Sequence, residues 1–142
     1  RDLCSPAHGA GRNGAEVIGA FRDWLDAAPP GKFFSWIHLY DPHSPWDPPE
    51  PYKSRHAGRP WGLYDGSIAY TDSLGGEVRE DLKRRGLLEK TVIIIAADHG
   101  ESLGEHHESF HGFFVYDATV SVPLVVHLPS SGLAGRVVAS AS

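Results

Sequence analysis

Hydrophobic residues recur at helical spacing over residues 13–27, where Val17, Ile18, Phe21, Trp24 and Leu25 fall on one face. The run Ala27-Ala28-Pro29-Pro30-Gly31 ends that helix, since proline cannot continue the backbone ladder. Residues 33–40 (FFSWIHLY) are short and apolar nearly throughout, which predicts a strand buried on both faces. Residues 41–51 (DPHSPWDPPEP) carry five prolines in eleven positions and must form an extended or turning loop. A long helix is predicted over 63–86, with Ile68, Leu74, Val78 and Leu82 inward and Gly86 as its stop. Gly75-Gly76 weakens it by about 1 kcal/mol per glycine and suggests close packing there. Residues 91–97 (TVIIIAA) form a second buried strand, 101–119 a loop with short helical turns at most, and 120–128 contain a third strand before a turn at 129–135.

The order helix, strand, helix, strand, loop, strand predicts an α/β sheet with helices on both faces. Ligands of open α/β sheets bind beyond the carboxyl ends of the strands. Two polar clusters stand at such ends: residues 38–43 and the pair Asp98-His99. Chemistry is expected where those two loops meet.

Composition narrows the function. The formal net charge is −5, which argues against a nucleic-acid partner. The one basic cluster, Lys83-Arg84-Arg85, sits where cations suit a helix C-terminus. No apolar run approaches the roughly 18 residues that span a bilayer, so no transmembrane segment is predicted. The chain of 142 residues starts at Arg1 with no leader pattern, as a processed chain or an excised piece would. A single cysteine, Cys4, excludes a disulfide framework and a thiolate zinc cluster. Nine histidines are more telling, because His99, His106, His107, His111 and His127 crowd into 29 positions.

The strongest signal is ADHGESLGEH, residues 97–106. An Asp-His pair leaving a buried strand places a carboxylate and an imidazole together at the sheet edge, and Gly100 lets the backbone turn away. Carboxylate oxygen suits calcium, magnesium or manganese, and imidazole suits manganese or zinc. Spacing alone leaves open an equal alternative, an aspartate capping a helix with a histidine beside it by chance.

The run ADHGESLGEH, His111 thirteen positions after Asp98, and VPLVVHLP at 122–129 closely resemble the sulfatase family of the alkaline-phosphatase-like superfamily. HLYDPHSPWDPP, residues 38–49, resembles that family's proline-flanked histidine loop, in the correct order. The likeness covers roughly residues 13–138. It implies one partial catalytic domain over 1–142, an α/β sulfatase sheet without the N-terminal nucleophile segment and the C-terminal remainder. It further implies that Asp98 and His99 are metal ligands, although many members have asparagine where His99 stands. His43 matches a histidine that contacts the transferred group and can protonate the leaving oxygen. His111 stands where many sulfatases have a lysine contacting sulfate, and where phosphoethanolamine transferases have histidine. His38, still on the strand, fits a core or supporting histidine better than a site residue.

The expected activity is hydrolysis of a sulfate ester, small-molecule or glycan. The expected cofactors are a divalent cation, calcium first with manganese or zinc as the others, and a formylglycine nucleophile in the missing segment. The early acidic ligand pair and the nucleophile are not recognisable here, so the chain alone is expected to be inactive. The alternatives are a phosphoryl-group enzyme of the same superfamily (a phosphonate or phosphodiester hydrolase, or a phosphoethanolamine transferase) and a non-catalytic module retaining the fold. A periplasmic, secreted or lysosome-like location is implied by the resemblance alone.

Three look-alikes carry less. Cys4-Ser5-Pro6 imitates the start of the sulfatase nucleophile signature, but Ala7 and His8 stand where Ser and Arg belong. His107-Glu108-Ser109-Phe110-His111 satisfies HExxH, a pattern that works only on a regular helix, and Gly104 and Gly112 leave too little room for one. The aromatics Trp36, Trp46, Trp61, Tyr40, Tyr52 and Tyr64 could suggest sugar stacking. The plainer reading puts Trp36 and Tyr64 in the core and Trp46 and Tyr52 against the proline loop, with Trp46 the best candidate to border a substrate.

Overall fold

The computed structural model describes residues 12–133 and 135–138, so the Cys4 segment lies outside the described residues. The chain divides into two compact units, Arg1–Asp81 and Leu82–Ser142.

In the first unit, helix α1 (Gly14–Ala27) starts at a capping box: Asn13 Oδ1 accepts from the Glu16 amide, and the Glu16 carboxylate accepts from the Asn13 amide. Its inward stripe is Gly14, Ile18, Phe21 and Leu25. Trp24 is half exposed and packs edge-on against Phe33. Helix α2 (Tyr52–Arg55) is a single turn after the proline loop. Helix α3 (Gly62–Arg84) confirms the long helix, and the boundary between the units falls in its last turn. It ends as a Schellman motif, with Gly86 at φ +66°, its amide on the Lys83 carbonyl and the Leu87 amide on the Leu82 carbonyl.

Leu74 and Leu82 are buried, as the helical period requires, but Ile68 is 43% exposed. A Cβ at Gly75 or Gly76 would meet nothing within 4 Å, so the glycine pair does not mark a close approach. Arg22 ties α1 to α3: its Nε donates to Asp81 at 2.6 Å and a terminal nitrogen donates to Glu77 at 2.7 Å. Asp81 is only 2% exposed. A carboxylate so buried costs stability unless it is paired, and the guanidinium offsets that cost.

Residues 33–40 depart from expectation. They carry no regular secondary structure and join no ladder, and Phe34 and Trp36 are 84% and 81% exposed. Apolar composition stated a preference for burial. It could not supply the neighbouring strand that burial on both faces requires. Trp36 is therefore not a core residue, and His38 is exposed rather than buried.

In the second unit, strands β1 (Ile93–Ala96) and β2 (Leu124–His127) pair antiparallel, Ile93 opposite His127 and Ala96 opposite Leu124. This is the one sheet among the described residues. Ile94, Ile95, Val125 and Val126 stay exposed, so the ladder is not covered on both faces as predicted; two strands alone cannot bury either face. Helix α4 (Asp117–Val120) is the short turn that leads into β2. No helix among the described residues is long and apolar enough to cross a membrane.

Candidate functional site

Each unit carries its own group of site residues. In the first, the chain passes Tyr40 and enters the proline loop. Asp41 anchors the entry: its Oδ1 accepts from the Gly14 amide at 3.0 Å, at the start of α1, where partial positive charge favours a carboxylate. Its Oδ2 is buried with no hydrogen-bond donor among the described residues. Burial first, and this carboxylate second, push the hydroxyl pKa of Tyr70 up. A Cβ on Gly14 would crowd the side-chain ends of Leu74 and Asp41, so the glycine leaves room for the carboxylate at the helix start.

Beyond Asp41 the loop turns tightly, the His43 amide donating to the Tyr40 carbonyl at 3.0 Å. The turn folds His43 onto Tyr40, with ring centroids 4.4 Å apart and planes 14° from parallel. His43 Nδ1 lies 2.6 Å from the Ser44 carbonyl, and a carbonyl can only accept, so Nδ1 is the donor. The ring is thus held on one face and at one nitrogen. Trp46 donates from Nε1 to the Pro42 carbonyl at 2.9 Å and packs against Trp61 and Tyr64. It stiffens the loop that carries His43, as the plainer reading of the aromatics required. Asp41 was not singled out in the sequence and Tyr40 only as one of the aromatics, although both stand inside the HLYDPH run.

In the second unit, Asp98 follows β1 and is 80% exposed on its side chain. Its Oδ1 accepts from the His99 amide at 3.1 Å and lies 3.9 Å from His99 Nε2. His99 Nδ1 lies 2.8 Å from the Gly100 carbonyl, so Nδ1 donates and Nε2 carries the lone pair of the neutral ring. An oxygen and a nitrogen 3.9 Å apart can share one cation at the usual distances of about 2.0–2.4 Å. The pair therefore fits a divalent ion chemically. Among the described residues no group of three or more such ligands gathers, so Asp98 and His99 supply at most part of a coordination shell.

Gly100 is needed for closeness rather than for a sharp turn. Its amide donates to the Thr119 carbonyl at 2.8 Å, and a Cβ there would strike the Ala118 backbone. That contact folds the 101–119 loop back towards its start and brings His111 onto His99, with ring centroids 4.0 Å apart and planes 28° from parallel. His111 Nδ1 is 3.0 Å from Glu101, a buried carboxylate. Asp98, His99 and His111 thus share one corner of this unit. Glu101 was missed in the sequence because a polar residue in a loop predicts exposure, and only its place inside the ADHGESLGEH run marked it.

The rest of the loop is knitted by polar contacts. The Ser102 hydroxyl is shared between the Glu105 and Glu108 carbonyls, and the Glu105 carboxylate accepts from the Leu103 amide at 2.7 Å. Backbone amides of Glu105 itself and of Leu103 hold that carboxyl below its usual pKa of 4.5. His106 and His107 both lie at positive φ, +56° and +63°, which no α-helix permits. HExxH is therefore not a helical zinc motif here.

Comparison with known proteins places the chain in a family. Residues 10–141 match the family model described as Sulfatase. Arylsulfatase K of Bos taurus is 39% identical over 67 residues, 47% of this chain and 12% of that protein. Arylsulfatase of Clostridium perfringens is 25% identical over 158 aligned positions, 84% of this chain and 33% of that protein. The crystal structure of the sulfatase-like protein yidJ from Bacteroides fragilis superposes with a TM-score of 0.66 at 21% identity, covering 82% of this chain and 30% of that one. The matched segments thus span from about an eighth to a third of these relatives' lengths.

Proposed function

Because this chain belongs to the sulfatase family, with a partial α/β sulfatase fold, we propose that it serves the metal-assisted hydrolysis of a sulfate ester. The observation that carries the reading is the Asp98–His99 pair, whose oxygen and nitrogen stand 3.9 Å apart with the His111 ring stacked against His99. A bound divalent cation, calcium first and manganese or zinc as the others, would supply Lewis-acid polarisation of a sulfuryl oxygen. Asp98 and His99 hold part of its shell. His111 lies against non-bridging oxygens and offsets their charge, the contribution that dominates such transfers. His43, fixed by Tyr40 and Ser44, gives the leaving oxygen its proton, and Trp46 borders the substrate. The nucleophile, formylglycine by family pattern, and the further acidic ligands are supplied by other parts of the protein, so these 142 residues alone are inactive.

Histidine at 99 and at 111 favours a second reading, transfer or hydrolysis of a phosphoryl group at the same site. One assay separates the two. The intact protein is given an aryl sulfate, an aryl phosphonate monoester and a phosphodiester, each with calcium, manganese or zinc. Sulfate-ester turnover that exceeds the others and is lost in Asp98→Ala supports the proposal. Preferred turnover of a phosphorus ester moves the assignment to the second reading. Turnover of none supports a non-catalytic module.

A further inference from the structure

Glu101 is a carboxylate placed where a loop residue has no ordinary reason to be buried. Its side chain is 5% exposed, and its Oε1 lies 3.0 Å from His111 Nδ1, ten residues along the chain. Burying a carboxylate is costly unless a partner compensates. A carboxylate oxygen only accepts, so the ring nitrogen facing it is the donor.

The His111 ring is held twice over. Glu101 fixes one nitrogen, and the His99 ring covers one face at a centroid distance of 4.0 Å. An imidazole side chain turns about two bonds. A hydrogen bond in the ring plane and a stacking contact across it constrain both. Nε2, on the far side of the ring from Nδ1, is then the nitrogen directed away from Glu101.

We propose that Glu101 is a positioning residue: it accepts from His111 Nδ1–H and so fixes the direction in which the Nε2 edge of the ring meets the transferred group. The proposal rests on the reading of His111 as the residue that meets that group. Glu101 acts through the His111 ring and not on the transferred group itself. Carboxylates that fix the far nitrogen of metal-binding histidines change affinity or activity by about 10- to 100-fold when removed, and the same scale is taken for Glu101.

The test compares Glu101→Leu with Glu101→Gln in the intact protein. Glutamine keeps an acceptor oxygen at the same reach, and leucine removes it. Glu101→Leu is expected to lower kcat/KM by about 10- to 100-fold, with Glu101→Gln recovering most of the loss. The ring-nitrogen resonances of His111, read by NMR, are expected to show the proton on Nδ1 in the wild type and in Glu101→Gln. In Glu101→Leu they should move towards Nε2.

Wild-type turnover in Glu101→Leu, or unchanged His111 ring resonances in that variant, overturns the proposal. If Glu101→Leu does not fold, the wild-type spectrum still decides, because a neutral His111 ring protonated on Nε2 is incompatible with the hold described. His111→Ala is the control for the underlying reading. Wild-type activity there sinks the role of His111 in turnover, whereas the ring spectra report the hold of Glu101 separately.

Discussion

The two histidine-bearing loops solve the same problem with different physics. In the 41–51 loop, His43 is fixed by a stiff backbone and by aromatic surface: five prolines, the Tyr40 ring at 4.4 Å, and Trp46 wedged against Trp61 and Tyr64. In the 98–119 loop, His99 and His111 are fixed by hydrogen bonds, with the Gly100 carbonyl, Glu101 and Ser102 as the polar ties. A histidine is aimed equally well by either means. The first loop leans on ring contacts with Asp41 as its carboxylate tie, and the second on the Glu101 and Glu105 carboxylates.

The largest effect that probes this contrast is His43→Ala. General acid catalysis contributes about 10²- to 10⁴-fold, so kcat for a sulfate ester with a poor leaving group should fall by that range. An activated aryl sulfate, whose leaving oxygen needs no proton, should fall far less. Equal losses for both substrates would remove His43 from the acid role.

Glycine substitutions sharpen the comparison next. Gly100→Ala drives a methyl onto the Ala118 backbone, which cannot yield cheaply, and should destabilise the protein by about 1–3 kcal/mol in thermal melting. Gly14→Ala meets the side-chain ends of Leu74 and Asp41 and also gains helix propensity of up to about 1 kcal/mol. Its net loss should be the smaller of the two. The reverse order would mean that the first loop, not the second, is the more closely packed.

Much of this was legible in the sequence, and the misses share a cause. Helices α1 and α3 followed from apolar period and stop residues, which are local properties. The roles expected of His43, His99 and His111 came from the resemblance of HLYDPHSPWDPP and ADHGESLGEH to the sulfatase family, not from local pattern alone. Phe34 and Trp36 were placed inside by apolarity and Ile68 by helical spacing, but burial depends on what chain lies opposite, which a local pattern does not contain. Glu101 and Asp41 were missed for the mirror reason: acidic residues in loops are expected to face water. Their partners, His111 and the Gly14 amide, are brought to them by contacts ten and twenty-seven residues apart.

Smaller effects test the two kinds of hold directly. Tyr40→Leu removes a ring stack worth about 0.5–1.5 kcal/mol, so kcat should drop by no more than about tenfold while KM stays near its original value. The weakest prediction concerns pH. The Glu105 carboxyl is held below 4.5 in the folded chain by backbone amides. Its contribution is therefore present above that pH and is lost as pH falls through the depressed value. Hydrogen exchange at the Leu103 amide should quicken relative to its intrinsic rate as acid is added, while the His43 amide in the proline loop should not follow.

The most direct measurement is the location of a bound cation. Crystals of the intact protein soaked in manganese should give an anomalous peak about 2.0–2.4 Å from both the Asp98 carboxylate and His99 Nε2. The same peak should vanish in Asp98→Ala. A peak elsewhere, or no cation at these two residues at saturating manganese, would contradict the account.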